Sequence, residues 1–307
     1  MLLDKGADFD KCDWYGQSPV IMACKQGHIE IVKMLLDRGA DCYKCDCSGQ
    51  SPVLTACRHG HTKILLMLLD NGVDYNNCDD DGQSPVQTAC RQGHTEIVNM
   101  LLDRGADCNK CDDYGQSAVL TACRRGNTEI VKLLLDRGAD FNKCDNNDQS
   151  PVMRACEQGH TEIVQMLLDK EVNYDKCNRF GNSLVMKACE QGHSEIVKML
   201  VDRGVDFKTC NERGQSTVMK ACEQGHTEIV KMLLDKGVDY NKCNKLGESL
   251  VMLALKHDHT EVVKMLVNKG ADCNKCDQWG ESPVMMALKN GHTETAKMLV
   301  DKGADCN

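Results

Sequence analysis

Twenty-one cysteines and ten histidines in a chain of 307 residues are the first groups that invite a chemical reading. Three Cys-x-x-Cys pairs, Cys42/Cys45, Cys108/Cys111 and Cys273/Cys276, have the spacing of half a zinc site or of a dithiol redox pair. None has a second Cys-x-x-Cys or a paired histidine close by in sequence, so the other half of a ligand set is missing. Eight histidines, His28, His61, His94, His160, His193, His226, His259 and His292, follow a glycine, or Asp258 in the case of His259. A catalytic histidine would be singular, and eightfold repetition is what a structural role requires. No nucleophile, base and orienting group meet in a context that departs from this repetition, and no phosphate-binding glycine loop is present. The reading is therefore a non-enzyme with no catalytic residue, no metal ligand set and no cofactor.

The elements that position these groups recur every 33 residues. Units begin at Gly16, Gly49, Gly82, Gly115, Asp148, Gly181, Gly214, Gly247 and Gly280 without insertion or deletion, and the last stops at Asn307. Met1 aligns with Met34, so residues 1–15 are the second part of an incomplete unit and residues 16–307 form nine repeats, expected to make one continuous solenoid. All 25 glycines fall in three columns, at the start, middle and end of each unit, which marks three obligatory turns. Asp148 and Glu171 stand in two of those columns, and both turns are expected to need positive φ. The fifth unit is then a weak link.

Between the first two turns, Ser18 and its equivalents precede all five prolines, and a serine N-cap with proline at the first helical position starts a helix. This first helix covers about Pro19 to Gln26. A second is expected to open on hydroxyl caps such as Thr62 and Thr95 followed by a first-turn glutamate, and to end at Gly39 and its equivalents. Neither helix is long enough to persist alone, so each must bury its apolar face against neighbouring units. Ala40 to Ser48 lacks helical periodicity and reads as an extended finger.

These residues resemble the ankyrin repeat over the whole chain: GQSPV, AC, GHTEIV, MLLD, GAD and N stand where the family has glycine, Thr-Pro-Leu-His, Ala-Ala, Gly-His, Glu-Ile-Val, Leu-Leu-Leu, Gly-Ala-Asp and Asn. The resemblance implies an all-α repeat solenoid, a stack of helix-turn-helix units each with a β-hairpin finger, and a binding role for its concave face. It implies that the repeated histidine braces the inter-helix turn. It also implies that Asn76, Asn109, Asn142, Asn241 and Asn274 occupy the finger position that asparaginyl hydroxylases modify in other arrays; backbone hydrogen bonding in the finger is the alternative role. Ile21, Leu54, Gln87 or Met153 replaces the family's histidine, which removes one side-chain hydrogen bond.

Within this register the cysteines sort into three columns. Cys24, Cys57, Cys90, Cys123, Cys156, Cys189 and Cys222 fall in mid-helix as small packing residues. Cys42, Cys108, Cys273 and Cys306 alternate with Phe9, Tyr75 and other aromatics, which marks packing space. Cys12, Cys45 and seven equivalents run along the fingers. Helices stacked about 8–10 Å apart are too distant for disulfides between adjacent units.

A formal net charge of −9 disfavours nucleic acid and anionic membranes as partners. The longest apolar run, Ile64 to Leu69, is too short to span a membrane, and Met1 to Lys5 lack the features of a secretory signal. The expected setting is the cytoplasm or nucleus.

Because the scaffold columns are uniform, the variable positions are where a partner would be encoded. The fingertips carry Trp14, Tyr15, Tyr114, Phe180 and Trp279, and no aromatic residue falls in either helix. Lys25, Arg58, Arg91 and Arg124 form a basic helix-one column in the first four units, reversed to Glu157, Glu190 and Glu223 in the next three. Those glutamates lie three residues after Arg154, Lys187 and Lys220, a spacing for ion pairs. The leading reading is a protein-interaction scaffold that takes a protein or peptide, an acidic or phosphorylated one across the first four units, as a monomeric solenoid or as part of a longer multidomain chain. A metal- or redox-responsive thiol array and a regulatory or targeting subunit of an enzyme are the alternatives.

Overall fold

The computed structural model describes residues 8–170 and 172–304. They form helix pairs in two compact units. The first, Met1–Asn146, contains α1 (Pro19–Gln26), α2 (Ile29–Asp37), α3 (Pro52–His59), α4 (Thr62–Asp70), α5 (Pro85–Gln92), α6 (Thr95–Asp103), α7 (Ala118–Arg125) and α8 (Thr128–Asp136). The second, Asn147–Asn307, contains α9 (Pro151–Gln158), α10 (Thr161–Leu168), α11 (Leu184–Gln191), α12 (Ser194–Asp202), α13 (Thr217–Glu223), α14 (Thr227–Asp235), α15 (Leu250–Lys256), α16 (Thr260–Asn268), α17 (Pro283–Lys289) and α18 (Thr293–Asp301). Within each unit the first helix of a repeat packs on its pair-mate and on the first helices beside it.

Capping explains why the helices start and stop where they do. Ser18 Oγ accepts the Ile21 amide at 3.3 Å and Ser51 Oγ the Leu54 amide at 3.1 Å, with proline at the first helical position in both. Gln87 goes further, accepting the Ser84 amide at 2.9 Å and donating to the Gln116 carbonyl, so in this unit side-chain hydrogen bonds are made at the position where the family has histidine. At the end of α2, Gly39 has φ 79°, its N–H reaches Leu36 at 2.9 Å, and Ala40 N–H reaches Leu35 at 3.0 Å, a Schellman closure. All described glycines have positive φ, as do only two other described residues, Asp148 and Asp258, both at φ 56° in glycine columns. The turn expectation thus holds at Asp148, while Glu171 lies outside the described residues, as do residues 1–7.

Two local expectations are corrected. The second helices are not capped by threonine: Thr62 is the first helical residue of α4, and the N-cap is His61, which makes no side-chain capping bond. The imidazole is used elsewhere, as shown below. The fingers, expected as β-hairpins, contain no strand among the described residues; a single isolated bridge joins Cys210 and Ser216. At each tip an aspartate or asparagine takes the amides that a ladder would use. Asp46 Oδ1 accepts from Ser48 at 2.8 Å and Gln50 at 3.0 Å, beside two backbone bonds of the turn, Asp46 N–H to the Gln50 carbonyl and Gly49 N–H to the Asp46 carbonyl.

The core is built from the repeat columns. Val53, Leu54, Ala56, Cys57, Ile64, Leu65 and Leu68 are fully inaccessible, and the same columns are buried in unit after unit. The helix-one cysteines fill this core as expected. Burial pushes the Cys24 thiol up to about 12, with a smaller contribution from Cys42, and raises Cys57, Cys90, Cys156, Cys189 and Cys222 still further.

Candidate functional site

Neighbouring repeats are held in register by side chains that reach one repeat back. His94 Nε2 lies 3.3 Å from the Arg58 carbonyl, and His193, His226 and His259 make the same contact with Glu157, Glu190 and Glu223 at 3.1–3.4 Å. Asn127 replaces this histidine in one unit and donates to the Cys90 carbonyl at 2.7 Å. The His61 ring covers Gly27 so closely that a Cβ there would meet it at 2.7 Å. The repeated histidine therefore braces one repeat against the preceding one, and the bond satisfies a carbonyl at the C-terminal end of a first helix.

The finger asparagines act in the same manner. Asn109 Oδ1 accepts the Asp140 amide at 2.8 Å, Asn241 Oδ1 the Asp272 amide at 2.9 Å, and Asn76 Oδ1 the Asp107 amide at 3.4 Å. Asn142 and Asn274 sit at exposed positions in the same column, their amides donating to Asp140 and Asp272. The finger thiols turn inward onto their own backbone: Cys78, Cys111 and Cys276 Sγ lie 3.7 Å from the carbonyls of Asn76, Asn109 and Asn274. The described cysteines are all free, and no cluster of three or more metal-binding side chains occurs among the described residues.

The aromatic fingertips are open to solvent. Trp14 is 100% exposed, Tyr15 72% and Tyr114 59% in the first compact unit, and Phe180 49% and Trp279 64% in the second. Tyr43, which the sequence reading passed over, is also exposed, at 58%. Its hydroxyl makes a long 3.4 Å contact with the Asn71 carbonyl. The Arg179 guanidinium lies 4.9 Å over the Phe180 ring.

The charged helix-one column meets acids that lie outside its own helices. Arg58 Nη2 donates to Gln50 Oε1 at 2.9 Å and approaches Asp79 Oδ2 at 3.9 Å; Arg91 Nη2 approaches Asp112 Oδ2 at the same distance. Asp112 is buried, and burial lifts its carboxyl above the usual carboxylate range against the Gln116 and Tyr114 amides and the Arg91 and Arg124 guanidiniums, which work to lower it. Lys25, exposed, forms no ion pair among the described residues.

In the second compact unit the expected i,i+3 pairs form at 3.0 Å (Arg154–Glu157), 3.4 Å (Lys187–Glu190) and 3.8 Å (Lys220–Glu223). Two bonds between repeats join them, Lys187–Glu157 at 2.8 Å and Lys220–Glu190 at 3.2 Å, giving one half-buried alternating chain of six charges.

A rule follows that spans the array. The residue 21 positions after each charge in the Lys25 column, up to Lys256, is the tip residue of the finger behind it. Lys25, Arg58, Arg91, Arg124 and Lys256 are matched by Asp46, Asp79, Asp112, Asp145 and Asp277, whereas Glu157, Glu190 and Glu223 are matched by Asn178, Asn211 and Asn244. Each of these five cations has an aspartate at that place and each of the three glutamates the neutral amide, while Lys289, fewer than 21 residues from Asn307, pairs with Glu281. At Arg58 and Arg91 the matched aspartate lies 3.9 Å from the guanidinium, whereas Lys256 pairs with Glu248.

Helix pairs stacked by such bonds from one repeat to the next define a helical repeat protein. The family model of ankyrin repeats (3 copies) matches residues 1–44, 39–112, 104–178, 171–244 and 218–307, and the chain belongs to the ankyrin-repeat family. No curated protein matches it. Ankyrin repeats are in general protein-interaction modules and typically non-catalytic. No helix among the described residues is long and apolar enough to cross a membrane.

Proposed function

We propose that this chain is a non-catalytic scaffold that binds protein partners along its fingertips. The observation that carries the reading is the placement of exposed aromatic side chains at finger tips, with none in a helix. Large rings held on short, hydrogen-bonded turns bury much area on contact with little loss of conformational freedom, which suits them as anchors. The basic column is a weaker support for an acidic or phosphorylated partner than it looked in the sequence, because Arg58 and Arg91 are engaged with Asp79 and Asp112. A reducing compartment, cytosol or nucleus, belongs to the same proposal, since cysteines that pack as small apolar residues do so as thiols.

The test compares the immobilised chain with its Trp14→Ser/Tyr15→Ser/Tyr114→Ser variant in cytosolic extract, with bound proteins identified by mass spectrometry. The expected result is a defined set of proteins held by the native chain and lost from the variant. Identical recoveries on the two would overturn the fingertip reading.

A further inference from the structure

Three departures from the repeat meet at one place on the second helices of the first compact unit. The column that opens those helices holds threonine or serine in eight units and isoleucine at Ile29. The following column holds glutamate in eight units and lysine at Lys63. Three residues further along, eight units have lysine, asparagine or glutamine, and one has Leu66. Ile29 opens α2 of one repeat and Lys63 and Leu66 lie on α4 of the next, and all three line a single hollow of about 440 Å³ between α2, α4 and α6, together with Gly27, His61, Thr62, Ile64, Glu96 and Met100.

The chemistry of the lining is specific. Ile29 and Leu66 are 37% and 41% exposed, apolar side chains in columns otherwise given to solvated polar groups. Fold stability gives no reason for either, since the polar residues in the other eight units keep the same helix. The Glu96 carboxylate is occupied by the Thr62 hydroxyl at 3.1 Å. Lys63 is exposed and forms no ion pair among the described residues, so the hollow has an apolar floor and one uncommitted cation at its rim. A hollow of this size with a single charged group to orient its occupant has the character of a recognition pocket.

We propose that this hollow docks a segment of a partner protein that places an aliphatic or aromatic side chain between Ile29, Leu66 and Met100 and an aspartate or glutamate against Lys63. The occupant is acidic because the cation replaces a glutamate column: Lys63 reverses the local charge at the one place where the apolar lining also appears. The inference shares with the fingertip reading only the premise that the chain binds protein, and it uses a different face of the repeat.

The probe is a random-peptide phage library selected on the native chain, with a selected peptide then synthesised and titrated by fluorescence anisotropy. The variant Ile29→Thr/Lys63→Glu/Leu66→Lys restores the majority residue of the array at each place, so it is expected to fold as the other repeats do; circular dichroism checks this. Selected peptides are expected to carry an apolar residue near an acid and to lose at least tenfold in affinity for the variant. Lys63→Glu alone and replacement of the peptide's acid by its amide should each weaken binding, with effects that do not add. Equal binding to native and restored chains, or no peptide enriched, would overturn the proposal. A peptide lost only from Trp14→Ser/Tyr15→Ser/Tyr114→Ser would overturn it while supporting the fingertips.

Discussion

Replacing Arg91 by glutamate should destabilise the repeat around α5, and replacing Asp112 by asparagine in the same chain should largely repair it. Arg91 Nη2 and Asp112 Oδ2 are 3.9 Å apart; the arginine side chain is 26% exposed and the aspartate side chain fully buried. At that separation and an effective dielectric near 20 the gross attraction is about 4 kcal/mol, reduced by the desolvation already incurred. The single variant removes the attraction and sets a second carboxylate toward a buried one, for an expected loss of roughly 2–4 kcal/mol. Asparagine at 112 removes the repulsion and keeps the turn, because Asn178 Oδ1 accepts the Phe180 and Asn182 amides at 3.0 Å just as Asp112 Oδ1 accepts those of Tyr114 and Gln116. Arg91→Glu/Asp112→Asn reproduces the Glu157/Asn178 combination and should recover to within about 1 kcal/mol of the native chain, a coupling of the size that double-mutant cycles resolve. Urea titration gives the overall change, and hydrogen–deuterium exchange of peptides from 82–114 localises it, since losses in a repeat array stay near their source. Additive effects of the two substitutions would show that the match between the columns has no energetic content.

Asp148→Gly should raise the urea midpoint by relieving about 1 kcal/mol of left-handed strain. Asp258→Gly should gain less, because Asp258 Oδ1 is 3.3 Å from Thr260 Oγ1 and 3.6 Å from His292 Nδ1; equal gains would refute the compensation. Burial works against ionisation of Glu190, but the Lys220 and Lys187 ammoniums overcome it and hold its carboxyl below the usual range, so its stabilisation is present above that range and lost as pH falls through the lowered value. Glu190→Gln should flatten acid unfolding of the second compact unit, and an unchanged pH profile would count against the charge chain. In brief iodoacetamide labelling Cys45, Cys177 and Cys276 should react while Cys57, Cys90 and Cys156 stay unmodified until urea is added, and equal labelling would contradict the burial of the helix-one thiols.

The helix boundaries were largely legible because serine caps, prolines and glycines act over three or four residues. What the sequence hid acts over longer spans. Thr62 was read as a cap from its hydroxyl, yet the cap position belongs to His61, whose column turns its rings back toward the preceding repeat, as His94 does with Arg58, 36 residues away. The fingers looked extended and lack strands among the described residues because Asp46 and its counterparts capture the amides. The partners of Arg58 and Arg91 stayed hidden because 21 residues is neither a helical nor a strand spacing. The hollow at Ile29 and Leu66 is not legible from the column pattern although each departure is visible, since its lining comes from second helices of three repeats.

The match between a helix-one charge and the finger behind it also bears on how such an array can lengthen. Arg91 and Asp112 both fall within the unit that starts at Gly82, so copying that stretch of chain copies both partners, and the duplicate arrives electrically complete wherever it lands. The charge chain from Arg154 to Glu223 behaves otherwise, because Lys187 and Lys220 each bind a glutamate of the unit before. A copy of the Gly82 unit inserted there would put Thr88 in the place of a cation and leave a glutamate on one side without its second lysine. Duplication is thus nearly neutral among the first four units. Between Asp148 and Asn244 it is tolerated only for copies of the local type, a constraint on inheritance imposed by which repeat holds the other half of each pair.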